Sequence, residues 1–164
     1  MNLFFNIIEK LYLSLPNNKV YWDKLTGCRT YAYYKDIIVN KYKNKDAVII
    51  YLDCNCLKEL NDHYGHEWGN NLLRNVGIEL LDLPKKHAVC RMGGDEFLII
   101  ASLSFDITSF LHSRKYQHIC QFCAKGFYVK PAGEDVQIGV DIADKRMYDN
   151  KLQMKNNDCS FNKR

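Results

Sequence analysis

Hydrophobic positions along the chain follow two rhythms. Ala47-Val48-Ile49-Ile50-Tyr51-Leu52 is a continuous apolar run rich in β-branched residues, which predicts a central strand buried on both faces. Two shorter runs, Ala88-Val89-Cys90 and Phe97-Leu98-Ile99-Ile100-Ala101, flank Arg91-Met92-Gly93-Gly94-Asp95-Glu96. They read as two strands of a hairpin, because a Gly-Gly pair supplies the backbone angles that tight turns require. Helical spacing dominates elsewhere. Leu72, Leu73, Val76, Leu80 and Leu81 mark an inward stripe on a helix over 67–83, and Val136, Val140, Ala143, Met147 and Tyr148 mark another over 134–154. Further helices are predicted over 28–42, over 57–64 with Gly65 as its stop signal, and over 106–116. A strand region over 119–129 is expected to break at Lys125-Gly126, ahead of a turn at Pro131-Ala132-Gly133. This order predicts an α+β fold with an antiparallel hairpin beside a central strand and helices covering one face.

Composition narrows the class without naming a function. At 164 residues with 47% hydrophobic, the chain is one domain by length, can bury a core, and shows no sign of disorder. A net charge of +4 is compatible with anionic small molecules and too weak to argue for nucleic acid, and no basic patch with interleaved aromatics appears. The seven cysteines, with no signal peptide ahead of them, read as reduced thiols of a cytoplasmic protein. Cys54-x-Cys56 and Cys120-x-x-Cys123 lack paired-knuckle zinc spacing and read as buried small hydrophobes. The apolar segment 1–13 is interrupted by Glu9-Lys10 and ended by Pro16, too short for the ~20 residues of a membrane span. A short amphipathic helix packing on the domain or on a second copy is the expectation, and so few residues leave no room for a sensor domain. The division expected is a lead-in over 1–20, a catalytic domain over 21–155 and a polar tail over 156–164.

Candidate chemistry clusters at strand ends. Asp53 closes the central strand, where the backbone stops pairing and a ligand can approach. Asp95 and Glu96 sit beside Gly93 and Gly94, which leave the backbone bare for a phosphate, and adjacent carboxylates suit a hard divalent cation.

Taken in order, Asp23-x-Leu25-Thr26-Gly27, then Asp53 with Lys58, Asn61-Asp62, Gly65-His66 and Gly69, then Arg91-Met92-Gly93-Gly94-Asp95-Glu96-Phe97, and finally Ala143-Asp144-Lys145-x-x-Tyr148-x-x-Lys151 resemble the GGDEF family of diguanylate cyclases. The resemblance implies a palm-like nucleotidyl cyclase fold with the Gly-Gly-Asp-Glu hairpin at the active site. It also implies a reaction that joins two GTP molecules into cyclic di-GMP across a homodimer, with Mg²⁺ or Mn²⁺. Residue by residue, it places Asp53, the backbone carbonyl of Cys54, Asp95 and Glu96 as metal ligands. Asp95, Glu96 and Lys58 take catalytic roles, the lysine answering charge on the transferring phosphate. Asn61, His66, Asn70, Gly93, Gly94, Lys151 and Lys155 take nucleotide-binding roles, the two lysines on phosphates and one helical turn apart.

The chain departs from the family pattern at positions with chemical consequences. Asn70 stands where a guanine-reading aspartate is usual. A carboxylate accepts from both N–H donors of guanine's Watson–Crick edge, an amide from only one, whereas adenine's donor and acceptor suit an amide. A cost of roughly 1–3 kcal/mol for the unmatched donor predicts relaxed or altered base choice, with ATP beside or instead of GTP, unless Asn61 alone preserves guanine binding. Pro84 and His87 replace the Arg-x-x-Asp of the family's product-inhibition site, so feedback through it is expected to be lost. Thr30-Tyr31 follow the Leu-Thr-Gly motif in place of Asn-Arg, Asn55 replaces a second aspartate, and the segment after the hairpin is short. The rival expectation is a degenerate domain that binds a nucleotide or partner without turnover.

Overall fold

The structure is a computed structural model and describes residues 20–82, 87–104 and 107–156. β1 (Arg29–Thr30) leads into a helix, α1, built of an α turn Tyr31–Tyr33, a π segment Tyr34–Ile38 and a closing α turn Val39–Tyr42. β2 (Ala47–Cys54) precedes α2 (Leu57–Tyr64) and α3 (His66–Leu81). The hairpin strands β3 (His87–Arg91) and β4 (Glu96–Ser102) follow, then α4 (Ile107–His112), α5 (Arg114–Phe122), β5 (Cys123–Lys130) and α6 (Val136–Asn156). The sheet order is β1-β3-β4-β2-β5, antiparallel except for the β1–β3 pair.

The sheet is covered on both faces, not one. All eight residues of β2 are buried, so its alternating side chains need a cover above and below. Val48, Ile50 and Leu52 join Leu73, Val76 and Leu80 of α3 and Ile119 of α5. On the opposite face, Ile49 and Tyr51 pack with Tyr34 and Ile38 of α1 and with Val140 and Met147 of α6. The ends of the two predicted stripes drift outward: Leu81 is 45% exposed and Tyr148 58% exposed, each one helical step past a buried neighbour.

Three predicted boundaries also change. Residues 29–30 of the expected helix form β1, which pairs with Cys90 and Arg91, and Thr30 caps the helix by accepting from the Tyr33 N–H at 3.4 Å. Residues 119–122 finish α5, which is capped by Ser113, because Tyr116 and Ile119 are buried at helical spacing. β5 runs unbroken through Gly126, whose missing side chain serves close packing: a Cβ there would collide with the backbone of Ala143 and Met147 in α6.

β5 is an edge strand, and α6 blocks that edge. The Lys125 N–H donates to Asn150 Oδ1 at 3.0 Å, and Arg146 donates to the Phe127 carbonyl at 2.8 Å, which withholds these groups from another strand. The described cysteines are free thiols. Cys54 and Cys123 are buried and face each other across β2 and β5 with sulfurs 3.5 Å apart. Burial pushes the Cys28 thiol up to about 11 and the Cys90 thiol up to about 12. Among the described residues, no helix is long and apolar enough to cross a membrane. The expectations for residues 1–19, for Pro84 and for the tail after residue 156 lie outside the described residues.

Gly126→Ala is expected to destabilise the protein by about 3 kcal/mol or more, because backbone atoms cannot move aside as a side chain can. Urea denaturation of the variant beside the parent protein measures it.

Candidate active site

Strand pairing builds the acidic centre. Asp53, buried at the end of β2, lies directly opposite Glu96 at the start of β4, so both carboxylates point to the face covered by α6. Like charges placed this way repel. Two groups answer them: Tyr51, two residues earlier on the same face, donates its hydroxyl to Glu96 Oε2 at 3.2 Å, and Lys151 of α6 reaches Asp53 Oδ1 at 2.6 Å. Burial first, then the charges of Asp144, Asp53 and Asp95, raise the Glu96 carboxyl above its ordinary range despite the Tyr51 hydrogen bond. Burial and the neighbouring Asp141 raise Asp144 likewise. For Lys151, burial works against its charge, yet the hydrogen bond to Asp53 and the charges of Asp53, Asp95 and Glu96 raise its pKa.

The turn that carries Asp95 is held from outside the hairpin. Met92 N–H donates to the Glu96 carbonyl at 2.8 Å, and the Cys54 N–H donates to the Asp95 carbonyl at 3.0 Å. The Arg91 guanidinium grips the Gly94 carbonyl at 2.6 and 3.2 Å and also pairs with Asp23 at 3.0 Å. Asp23 Oδ1 in turn accepts from the Thr26 N–H at 2.9 Å and the Thr26 hydroxyl at 2.7 Å. Gly77 lets α3 rest on this loop, since a Cβ there would fall 2.7 Å from the Thr26 carbonyl. One chain of contacts thus runs from α3 through the Asp-x-Leu-Thr-Gly loop and Arg91 to the hairpin tip.

The nucleotide-facing candidates fall on the helices. Asn61 of α2 lies against Gly69 of α3, where a Cβ would collide with its side chain, and its buried Oδ1 has no hydrogen-bond partner. Asn70 is half-buried, and the nearby Glu67 pairs with Arg74 at 2.7 Å, which holds its carboxyl low. Lys58 and His66 are exposed, and no hydrogen bond or ion pair ties them to the acidic centre. Gly93 and Gly94 are exposed at the tip. Lys155 lies on α6, but its side chain is outside the described residues.

The structure therefore gathers Asp53, Asp95, Glu96 and Lys151 with Tyr51, which the sequence reading did not single out, and with Asp144, which it quoted in a motif without a role. A hydroxyl inside an otherwise aliphatic strand, two residues before a terminal aspartate, was the available signal for Tyr51. The donor chemistry fits a hard divalent ion: carboxylate oxygens and the Cys54 carbonyl, which shares the hairpin side with its N–H. The Lys151 ammonium already draws on the positive charge that such a site favours. Among the described residues, no three acidic, histidine or cysteine side chains converge closely enough to enclose an ion by themselves.

The family model for the diguanylate cyclase GGDEF domain matches residues 20–157. The chain belongs to the GGDEF domain family. The cyclic di-GMP phosphodiesterase PdeR of Escherichia coli is 38% identical over 84 residues, 49% of this chain and 13% of that protein. The diguanylate cyclase DgcP of the same organism is 32% identical over 108 residues, 64% of this chain and 29% of that protein. The chain thus spans less than a third of the length of either relative. The crystal structure of the GGDEF domain of DgcB from Caulobacter crescentus in complex with c-di-GMP has a TM-score of 0.73 at 17% identity, covering 85% of this chain and 92% of that one. This likeness establishes the fold.

Asp23→Asn is expected to cost about 1–3 kcal/mol at neutral pH, because it breaks the charged link between loop and hairpin. Burial opposes the Asp23 charge, but hydrogen bonds from Thr26 and Arg91 and the Arg91 charge hold its carboxyl below the ordinary value of 3.8. Its contribution is therefore complete above about pH 3.8 and fades as pH falls through the lowered folded value. Denaturation curves at neutral pH and at about pH 3 should show the parent losing this increment on acidification and the variant lacking it throughout.

Proposed function

We propose that this GGDEF domain is a metal-dependent nucleotidyltransferase that condenses two nucleoside triphosphates into a cyclic dinucleotide and releases two pyrophosphates. The observation that carries the reading is the set of opposed carboxylates at the β2–β4 junction, Asp53 against Glu96 with Asp95 beside them, held next to a bare glycine turn. In this reading Asp53, the Cys54 carbonyl, Asp95 and Glu96 would hold Mg²⁺ or Mn²⁺. When bound, such an ion supplies charge neutralisation for the attacking 3′-hydroxyl and the leaving pyrophosphate.

The chain's own groups do the rest. Gly93 and Gly94 let the triphosphate approach the backbone, and Lys151 and Lys155 compensate its charge from α6. Lys58, at the start of α2, answers the charge that develops on the transferring phosphate. Tyr51 fixes the Glu96 carboxylate through its hydroxyl. Each domain holds one nucleotide, so ring closure takes two copies facing each other. In this reading the base rests at the α2–α3 crossing, where Asn61, whose Oδ1 has no hydrogen-bond partner, and the half-buried Asn70 offer polar groups. The Asn70 amide offers the base an oxygen and an N–H, an acceptor beside a donor. That pair matches adenine, so ATP enters the product beside or instead of GTP.

Incubation with GTP, with ATP and with their mixture, in Mg²⁺ or Mn²⁺, tests this when products are identified by mass. An adenine-containing cyclic dinucleotide is expected from the parent protein. Asn70→Asp should shift preference toward guanine by about 5- to 150-fold. Asp53→Asn should lower turnover by about 100-fold or more. A guanine-only product would overturn the base assignment. The absence of any product would leave a domain that binds nucleotide or partner without turnover, the role open to a domain with relatives named both cyclase and phosphodiesterase.

A further inference from the structure

Four acids crowd one corner of the sheet, and the Lys151 ammonium pairs with one of them. Asp53 and Glu96 oppose each other on β2 and β4, Asp95 is next in the chain, and Asp144 acts on Glu96 from α6. Asp144 and Lys151 are seven residues, two helical turns, apart, so α6 presents both to the same corner. The Asp53 side chain is only 8% exposed and that of Lys151 25%, so water does little to screen either charge. At 2.6 Å, the Lys151 Nζ occupies Oδ1 of Asp53, one of the two oxygens by which that carboxylate can hold a cation.

Two cations cannot share that oxygen at contact distance without strong repulsion. A divalent ion that takes Oδ1, alone or together with Oδ2, must turn the ammonium away. Lys151 stands on a four-carbon stem with free rotation and can be redirected to a nearby anion. The anion that arrives with the metal is the triphosphate.

We propose that Lys151 is the resident counter-ion of this acidic corner in the nucleotide-free protein, and that metal and triphosphate bind cooperatively because each takes one partner of the Lys151–Asp53 pair. The inference rests on the metal site of the proposed function and adds a second state for Lys151. Metal alone has to break the pair without compensation, so it binds weakly. Metal with nucleotide gives the displaced ammonium a phosphate, so the two reinforce each other by the same factor in either order.

The test is Mn²⁺ binding to the full chain, followed by electron paramagnetic resonance of free Mn²⁺, with and without a non-hydrolysable GTP or ATP analogue. Lys151→Met and Lys151→Gln are compared with the parent, and circular dichroism selects variants that remain folded. Without nucleotide, both variants are expected to bind Mn²⁺ roughly tenfold more tightly than the parent, while the gain in Mn²⁺ affinity on adding nucleotide shrinks by a similar factor. If both variants bind Mn²⁺ alone no better than the parent while Asp53→Asn loses binding, the counter-ion role is overturned and the metal site stands. If Asp53→Asn binds Mn²⁺ as well as the parent, the metal site fails and this inference with it.

Discussion

The opposed carboxylates of Asp53 and Glu96 are the constraint around which this domain is arranged. Antiparallel register forces them onto one face, and a protein concerned only with stability would place a neutral or opposite-charge pair there. The cost is visible in the raised pKa of Glu96 and in the supports that surround it: the Tyr51 hydroxyl, the Lys151 ammonium and the packing of α6 over the strand ends. Gly126 lets α6 approach β5 closely, and Asn150 and Arg146 fasten the helix to that strand's edge. The same helix that seals the sheet edge therefore brings in the cation that makes the acidic corner tolerable.

A second support works from the opposite side of the hairpin. Asp23, Thr26 and Arg91 form a charged relay that ends on the Gly94 carbonyl. A glycine turn is free to take many shapes, and the phosphate platform proposed for it demands one of them. Two contacts from Arg91 to a single carbonyl remove that freedom without adding a side chain at the tip. Asp23 is thus a positioning group for the turn through Arg91, and β1 with the start of α1 is the scaffold that holds the loop.

The sequence carried the central elements because their signals are local. A buried strand of β-branched residues, a glycine turn between apolar runs and two helical stripes are each readable from a few neighbouring positions. The ordered motifs did the same for the acidic centre. What escaped were features decided by distant partners. β1 is only two residues long and exists because Cys90 and Arg91 lie alongside it. Gly126 reads as a breaker in isolation, and only the backbone of α6 above it shows why a strand carries glycine there. The cover on the second face was implied by β2's unbroken apolar run, yet α1 and α6 had no signal that assigned them to that face. Tyr51 and Lys151 show the same limit at the site: their residue types were legible, but their partners were set by register and by the approach of a helix from about a hundred residues away.

The division of labour between sheet and helices follows from these supports. Charge chemistry sits on β2, β4 and α6, where register and ion pairs fix oxygen positions and a small displacement would unbalance four acids. The groups proposed to meet the base sit at the crossing of α2 and α3, where Gly69 brings the helices together and Asn61 keeps a buried acceptor unpaired. The two regions are joined along the chain by Cys54, Asn55 and the turn into α2, with Cys56 held at a φ of 58°, and α3 also packs on β2 and β4 through Leu73, Val76 and Leu80. A change such as aspartate to asparagine at position 70 therefore alters hydrogen bonding at the helix crossing while the acidic corner keeps its contacts. Under the proposed roles, such an arrangement lets one side chain change the base preference while the acids keep the positions that strand register gives them.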